Sequence, residues 1–347
     1  MNGLAMTGLA MRAAPMKAAR AITIAALCLG LAVACTPATS PTSGVTQLTV
    51  GLGYLPSVQF AQFYRAQQQD YYGAAGLDVT FQHQIDPQLI TLVGQGAIDI
   101  GMADGTSIIP AAGQDIPVRY AATIYARFPS VVIAGADSGI NAAADLRGRK
   151  LGIPGRFGSS WIMLQALLAS AGLAPGDLQI EIFSDFGQAV ALREGRVEAA
   201  TGFANNEPVQ LGLEGFATSV LRVDEITPLP GPGLTVGATT LSEKPAALRA
   251  FVAATLRAMN EIIASPEVGL EDAIAEVPDL GQNRGTQLAI LRATIEMWQS
   301  PYTAANGLGA IDEDAWASST DFMRALPDAN IPTDLTTDQL VTMDLLP

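Results

Sequence analysis

The sequence predicts an α/β protein of two related lobes. Short β-rich runs alternate with helical ones from residue 46 onward, one block of that alternation recurs later in the chain, and the last third turns helical. Leu48-Thr49-Val50 opens the first strand and leads into a helical stretch over 58–71. A strand over 77–81, a short helix over 88–93 and strands over 98–100 and 118–126 follow. The second block reads as a strand over 151–153, a helix over 160–171, a strand over 180–183 and a helix over 188–194. Such alternation argues for parallel sheets joined by crossover helices.

Glycines punctuate both blocks in the same order. Ala75-Gly76-Leu77 begins a strand, a helix follows, and Gly96-Ala97-Ile98-Asp99 starts the next strand. Ala171-Gly172-Leu173 and Gly195-Arg196-Val197-Glu198 repeat that pattern at similar but unequal spacing. Two copies at so long a period make two lobes, not a solenoid. In the tail, Leu248, Phe251, Val252, Leu256, Met259, Ile262 and Ile263 share one face of a helix over 245–264, with Pro245 in its first turn. Segments 288–298 and 314–326 read the same way, and a helical tail of this kind packs back on a lobe. The expected division is 46–128 with 240–347 in one lobe and 129–239 in the other.

Of the 347 residues, 49% are hydrophobic and 15% charged, which excludes a disordered chain. The net charge of −14 argues against a nucleic-acid partner, since phosphate neutralisation needs cations. Lys17 and Arg20 precede an apolar run over 21–33, interrupted by Thr23 and Gly30 and too short to span a bilayer. Residues 1–34 therefore read as an export signal, with Met16 as an alternative start. Leu31-Ala32-Val33-Ala34-Cys35 resembles a lipobox, which would make Cys35 the lipidated first residue of a tether over 35–45. Cys28 falls within the signal, so the mature chain would hold one cysteine, with no internal disulfide and no thiolate metal cluster. The expected place is the extracytoplasmic face of the cell membrane, held by the lipid anchor.

In open α/β sheets, ligands bind beyond the carboxyl ends of strands. That rule selects Gly53-Tyr54-Leu55-Pro56-Ser57-Val58-Gln59-Phe60, Ala103-Asp104-Gly105-Thr106-Ser107, Pro154-Gly155-Arg156-Phe157-Gly158-Ser159-Ser160-Trp161 and Phe203-Ala204-Asn205-Asn206-Glu207-Pro208. Tyr54, Phe60, Phe157 and Trp161 offer aromatic faces. Gln59, Asp104, Thr106, Asn205, Asn206 and Glu207 offer donors and acceptors, and Ser159 lies at a helix start that can hold an oxygen. Phe60 and Trp161 serve equally well as core residues, Arg156 as a solvated loop charge, and Asn206 as a helix cap with Pro208 in the first turn. Tyr125 belongs to 125–129, which reads as a hinge strand bordering the cleft or as a plain connector.

The chain's one histidine, His83, ends an outer strand and reads as a surface residue. A histidine pair for a metal, a nucleophile elbow, a P-loop and a dinucleotide-binding fingerprint are all lacking. Lys150 sits in a Gly-Arg-Lys turn, a poor place for a Schiff base. Catalysis is disfavoured, and neither a cofactor nor a resident metal is expected.

Several ordered blocks carry a resemblance. Residues 53–64, then Tyr71-Tyr72-Gly73, Ala75-Gly76-Leu77-Asp78-Val79, Asp99-Ile100-Gly101-Met102-Ala103-Asp104, Asp145-Leu146-Arg147-Gly148, Gly152-Ile153-Pro154-Gly155-Arg156-Phe157-Gly158 and Asn205-Asn206-Glu207-Pro208 resemble bacterial solute-binding proteins related to the thiamine-pyrimidine synthase family. The likeness covers roughly residues 46–260 and is weaker in the tail. It implies a type II periplasmic-binding-protein-like fold, with two α/β lobes joined by a two-strand hinge and a ligand held between them. It further implies a monomer that serves the permease and ATPase of an ABC importer. Within the family the loops look most like riboflavin-binding lipoproteins and nearly as much like binders of thiamine pyrimidine precursors; sulfonate and nitrate binders match them less well. The enzymes of the family use a cysteine-rich iron-binding run and a lysine-bound cofactor, features this sequence lacks.

Overall fold

A computed structural model describes residues 44–83, 88–326 and 330–347. The export segment, Cys35 and the tether up to residue 43 lie outside the described residues. The first lobe runs β1 (Thr46–Gly51), α1 (Ala61–Gln68), α2 (Tyr71–Ala74), β2 (Leu77–Gln82), α3 (Leu89–Gly94), β3 (Ile100–Ala103), α4 (Gly105–Gly113) and β4 (Val118–Thr123). The chain then enters a second sheet as β5 (Ser130–Gly135). It continues through β6 (Lys150–Ile153), α5 (Gly158–Ser170), β7 (Gln179–Ile182), α6 (Gln188–Arg193), β8 (Ala199–Phe203), α7 (Glu207–Leu213) and β9 (Thr218–Arg222). It returns as β10 (Gly233–Gly237), followed by α8 (Ala238–Glu243), α9 (Pro245–Ala264), α10 (Pro266–Glu276) and α11 (Arg284–Met297). Last come α12 (Pro301–Asn306), α13 (Glu313–Arg324) and α14 (Thr337–Leu340). Among the described residues, no helix is long and apolar enough to cross a membrane.

The two sheets share one topology. The first orders its strands β2-β1-β3-β10-β4 and the second β7-β6-β8-β5-β9. The expectation of purely parallel sheets is corrected at one strand in each. β10 runs antiparallel to β3 and β4, and β5 antiparallel to β8 and β9. Both are the first strand after a crossing between sheets. A chain that leaves one sheet at its strand ends enters the other from the same side, so it must run backwards there.

The two crossings of the hinge, 124–129 and 223–232, are irregular in backbone conformation. They are joined by the N–H groups of Ile124 and Tyr125, which both donate to the Pro232 carbonyl (3.3 and 2.8 Å). β10 pairs within the first sheet, so the second lobe's strands end at β9, short of the expected boundary at 239.

The repeated glycines have a single physical cause. Gly76, Gly96, Gly172 and Gly195 all lie in the left-handed region, with φ between 65° and 76°. There a residue with a Cβ is strained, and helices end readily on glycine. Their acidic followers match as well. Asp99 accepts the Thr49 N–H (2.9 Å), and Glu198 accepts the Lys150 N–H (3.0 Å). The first acid thus pins β3 to β1, and the second pins β8 to β6, the corresponding pair of its sheet. The likeness fails after Gly172, because a 3-10 turn over Pro175–Asp177 intervenes and β7 begins only at Gln179.

Both faces of each sheet are buried. On β5, Val131 and Ile133 join one core cluster while Val132 and Ala134 join the other, so the strand reads as an unbroken apolar run. On one face of the first sheet, Phe251 of α9 stacks on Tyr72 at 4.9 Å, and burying such a ring contributes about 1.5–3 kcal/mol. Arg65 of α1 bridges Glu261 of α9 and Asp272 of α10, each at 2.6 Å, which fixes the helical tail to the first sheet. On the opposite face, Trp316 of α13 packs on Tyr120 of β4. α4 emerges where the sequence suggested only a loop, because Pro110 in its middle hides the helical pattern.

Phe186, in the turn between β7 and α6, has φ +61°, an unusual conformation for a bulky side chain. Replacing it should therefore reverse the usual order of two small residues. Phe186→Gly is expected to be about 1 kcal/mol more stable than Phe186→Ala, as read by denaturant unfolding. Equal stabilities would mean that the turn relaxes out of the left-handed region.

Candidate ligand-binding cleft

Because β1, β3, β6 and β8 all end toward the crossings, their following loops face one another. They wall a cavity of about 690 Å³. The first lobe contributes Tyr54, Gln59, Phe60, Asp104 and Thr106, and the crossing contributes Tyr125. From the second lobe come Phe157, Ser159, Trp161, Asn206 and Glu207. Two of the expected residues stand elsewhere. Arg156 is exposed, with its guanidinium 5.5 Å from the centre of the Trp161 ring and outside the cavity wall. Asn205 is fully buried behind the wall.

Asn205 has a different task there. Its Nδ2 donates to Gln59 Oε1 (2.8 Å) and Thr294 Oγ1 (2.9 Å) and lies 3.4 Å from the Tyr125 hydroxyl. A side chain of the β8–α7 loop is thereby tied to the first lobe, to α11 and to a crossing. Its Oδ1 has no partner among the described residues.

Asp104 caps α4. Its Oδ1 accepts from Thr106 Oγ1 (2.6 Å), the Ser107 N–H (3.2 Å) and Ser107 Oγ (3.3 Å). Burial pushes the carboxyl above its ordinary range, against the pull of those hydrogen bonds. The Gly105 N–H donates to the Pro230 carbonyl at 3.0 Å, so the capped end of α4 also rests on the second crossing.

Glu207 mirrors Asp104 from the other lobe. It opens α7 and turns back so that Oε2 accepts the Phe203 N–H at 2.7 Å. Gly202 makes room, since a Cβ there would stand 3.0 Å from that oxygen. Although part of Glu207 opens to the cavity, the protein packed around it pushes its carboxyl upward by desolvation. Asn206 occupies the N-cap position without capping; its Oδ1 instead accepts from Gln210 Nε2 at 2.7 Å.

The aromatic residues divide between core and cavity. Phe60 is 5% exposed and packs on Phe63, Tyr64 and His83 while its remaining surface lines the cavity. Phe157 is 61% exposed at the start of α5, where its ring lies over Gly155. Tyr54 meets the edge of Phe186 across the cleft, with ring centres 6.4 Å apart. Burial first, and Glu207 second, raise the Tyr54 hydroxyl pKa.

Phe186, Met102 and Gln188 also line the cavity, although sequence reasoning did not select them. Phe186 follows β7, so the strand-end rule would have found it had that loop been included. His83 is not the surface residue expected. It packs among Phe60, Tyr64 and Phe81, its Nδ1 is buried without a partner among the described residues, and burial lowers its pKa. Among the described residues, no Lys, Arg or His lines the cavity, and no group of acids, cysteines and histidines is placed to hold a metal.

The raised carboxyl pKa values carry a sign for stability. The folded protein retains protons that the unfolded chain has released, so these groups favour folding at acidic pH. That support is lost as pH rises through their folded values. Removing the titration with Glu207→Gln should make the melting temperature fall less steeply as pH rises above the ordinary carboxylate range. A slope equal to that of the native protein would mean that Glu207 titrates like a solvated acid.

Residues 57–268 match the family described as NMT1/THI5 like. The chain is 31% identical to riboflavin-binding protein RibY of Chloroflexus aurantiacus over 347 residues, 94% of this chain and 98% of the relative. It is 24% identical to the 4-amino-5-hydroxymethyl-2-methylpyrimidine phosphate synthase THI13 of Saccharomyces cerevisiae, over 68% of this chain and 73% of the relative. It is also 24% identical to a formylaminopyrimidine-binding protein of Halalkalibacterium halodurans, over 87% of this chain and 92% of the relative. Among solved structures, the alkanesulfonate-binding protein SsuA of Xanthomonas axonopodis pv. citri bound to MOPS superposes with a TM-score of 0.66 at 16% identity, covering 86% of this chain and 99% of that one. By sequence the chain belongs to the NMT1/THI5-like family, and by topology it carries the periplasmic-binding-protein fold.

Proposed function

We propose that the protein is the substrate-binding lipoprotein of an ABC importer, capturing riboflavin or a closely related heteroaromatic vitamin between its lobes. One observation carries this reading: a cavity of about 690 Å³ between facing strand ends, with aromatic rings on both sides and polar groups at its edges. That volume lies within the range of small-molecule pockets, roughly 300–1,000 Å³, and leaves room for a fused-ring ligand. Tyr54, Phe60, Phe157 and Trp161 supply apolar faces for the rings; Asp104, Thr106, Asn206 and Glu207 supply the polar edge. The full-length likeness to a riboflavin-binding protein supports the same ligand.

Closure is favoured by contacts that both lobes make with one ligand. Cys35 carries the lipid that holds the monomeric receptor at the extracytoplasmic face, and a permease and an ATPase receive the cargo. The second reading is capture of a thiamine pyrimidine precursor, supported by the formylaminopyrimidine-binding relative. A single six-membered ring would fill less of the cavity. Catalysis is not part of the proposal. Lys150 pairs with Glu181 and Lys244 with Asp99, both away from the cavity, and His83 does not line it.

Riboflavin should raise the melting temperature of the purified protein by mass action. Asp104→Ala is expected to weaken its binding by about 1–3 kcal/mol, measured by titration calorimetry. An affinity unchanged by Asp104→Ala and Asn206→Ala together would place the ligand elsewhere. Cys35→Ser should move the protein from the membrane fraction to the soluble fraction, and continued membrane association would remove the proposed anchor.

A further inference from the structure

The cavity receives the starts of two full helices, and the chain treats them differently. A helix start carries partial positive charge on free N–H groups, the feature that anion sites exploit. At α4 that place is already taken by a carboxyl group, because Asp104 accepts from the Ser107 N–H and two hydroxyls. At α5 no side chain caps the helix, and Ser159 and Ser160 turn toward the cavity. From the second lobe Glu207 adds a further carboxyl group to the wall, held by the Phe203 N–H. No lysine, arginine or histidine among the described lining residues offsets either acid.

We propose that the cleft selects its cargo by charge, admitting uncharged heteroaromatic molecules and refusing their phosphorylated or sulfonated forms, with Asp104 and Glu207 as the discriminating residues. The inference rests on the function proposed above and narrows its substrate class. A phosphate group drawn into this cavity meets two carboxyl groups and, at α5, a helix start without a side-chain cap. If the acids are ionised they repel it; if they are protonated they bring no positive charge to replace its water. Burying a charge without a compensating partner is unfavourable in either case. An uncharged ring avoids that conflict. Its N–H edge can donate to Asp104 and Glu207, while a ring carbonyl accepts from the start of α5. SsuA shares the fold and is described as alkanesulfonate-binding, so charge preference here is set by the wall and not by the architecture.

The test uses the full chain purified in detergent and compares affinities by titration calorimetry. The probes are riboflavin, riboflavin 5′-phosphate, 4-amino-5-hydroxymethyl-2-methylpyrimidine, its phosphate and MOPS. The phosphorylated member of whichever pair binds should be weaker by about tenfold or more, with MOPS weaker still. Any smaller difference overturns the charge selection while leaving the receptor function intact. Failure of both uncharged compounds to bind instead removes the receptor reading, and the selection with it. Glu207→Gln and Asp104→Asn, which remove the ionised form, should each shrink the ratio within the binding pair, and more at alkaline than at acidic pH. A ratio unchanged in both folded variants, whatever happens to absolute affinity, would overturn the assignment to these two residues.

Discussion

The cleft depends on how two stretches of backbone pass each other between the sheets. At Gly231 a Cβ would fall 2.3 Å from the Tyr125 carbonyl oxygen, so the close approach admits only glycine. The neighbouring Pro228, Pro230 and Pro232 restrict the second crossing to extended backbone, and Pro232 supplies the carbonyl that holds the first crossing. From this junction the direction of every strand follows. A chain that leaves one sheet at its strand ends must enter the other there, which gives both sheets one reversed strand and turns the remaining strand ends toward a shared gap.

The junction also reaches the chemistry. Pro230 holds the start of α4 through the Gly105 N–H, and Asp104 caps that start. Tyr125 is at once part of the first crossing, a wall of the cavity and a neighbour of Asn205. Asn205 then ties the second lobe to Gln59 and Thr294. The base of the cleft is thus a set of buried, mutually hydrogen-bonded groups, where a polar atom losing its partner costs about 1–3 kcal/mol. The mouth is built otherwise. Tyr54 and Phe186 meet in a T-shaped contact, and Phe157 stands largely in solvent. Polar ties of fixed geometry suit a pivot, whereas exposed rings can separate and meet again at little cost.

Much of this architecture is legible in the sequence where the signal is local. A helix that ends in left-handed glycine and gives way to a strand leaves a pattern of few residues, which is why Gly76, Gly96, Gly172 and Gly195 reveal the repeat. The strand-end rule likewise finds Asp104 and Glu207, because each lies in the turn from strand to helix. What escapes is decided by partners distant in the chain. Nothing near Asn205 announces Thr294, and nothing near β10 says that it pairs with β3. The reversal of β5 and β10 is equally silent, since strand direction depends on where the chain enters a sheet. Phe186 escapes for another reason: a phenylalanine in the left-handed region contradicts the local preference on which sequence reading relies.

The same distinction bears on how one fold serves different tasks. The sheets and crossings place helix starts and strand ends around a gap, and that placement is available to any cargo of suitable size. What the cargo meets is determined by a few side chains at those positions. Here the start of α4 is filled by an acid, a second acid stands opposite on the other lobe, and both lysines of the body are engaged in ion pairs elsewhere. Filling the start of α4 with a carboxyl group takes that helix start away from an incoming anion, while the start of α5 keeps its N–H groups free of any side-chain cap, so the same fold offers two different surfaces on the two sides of one gap.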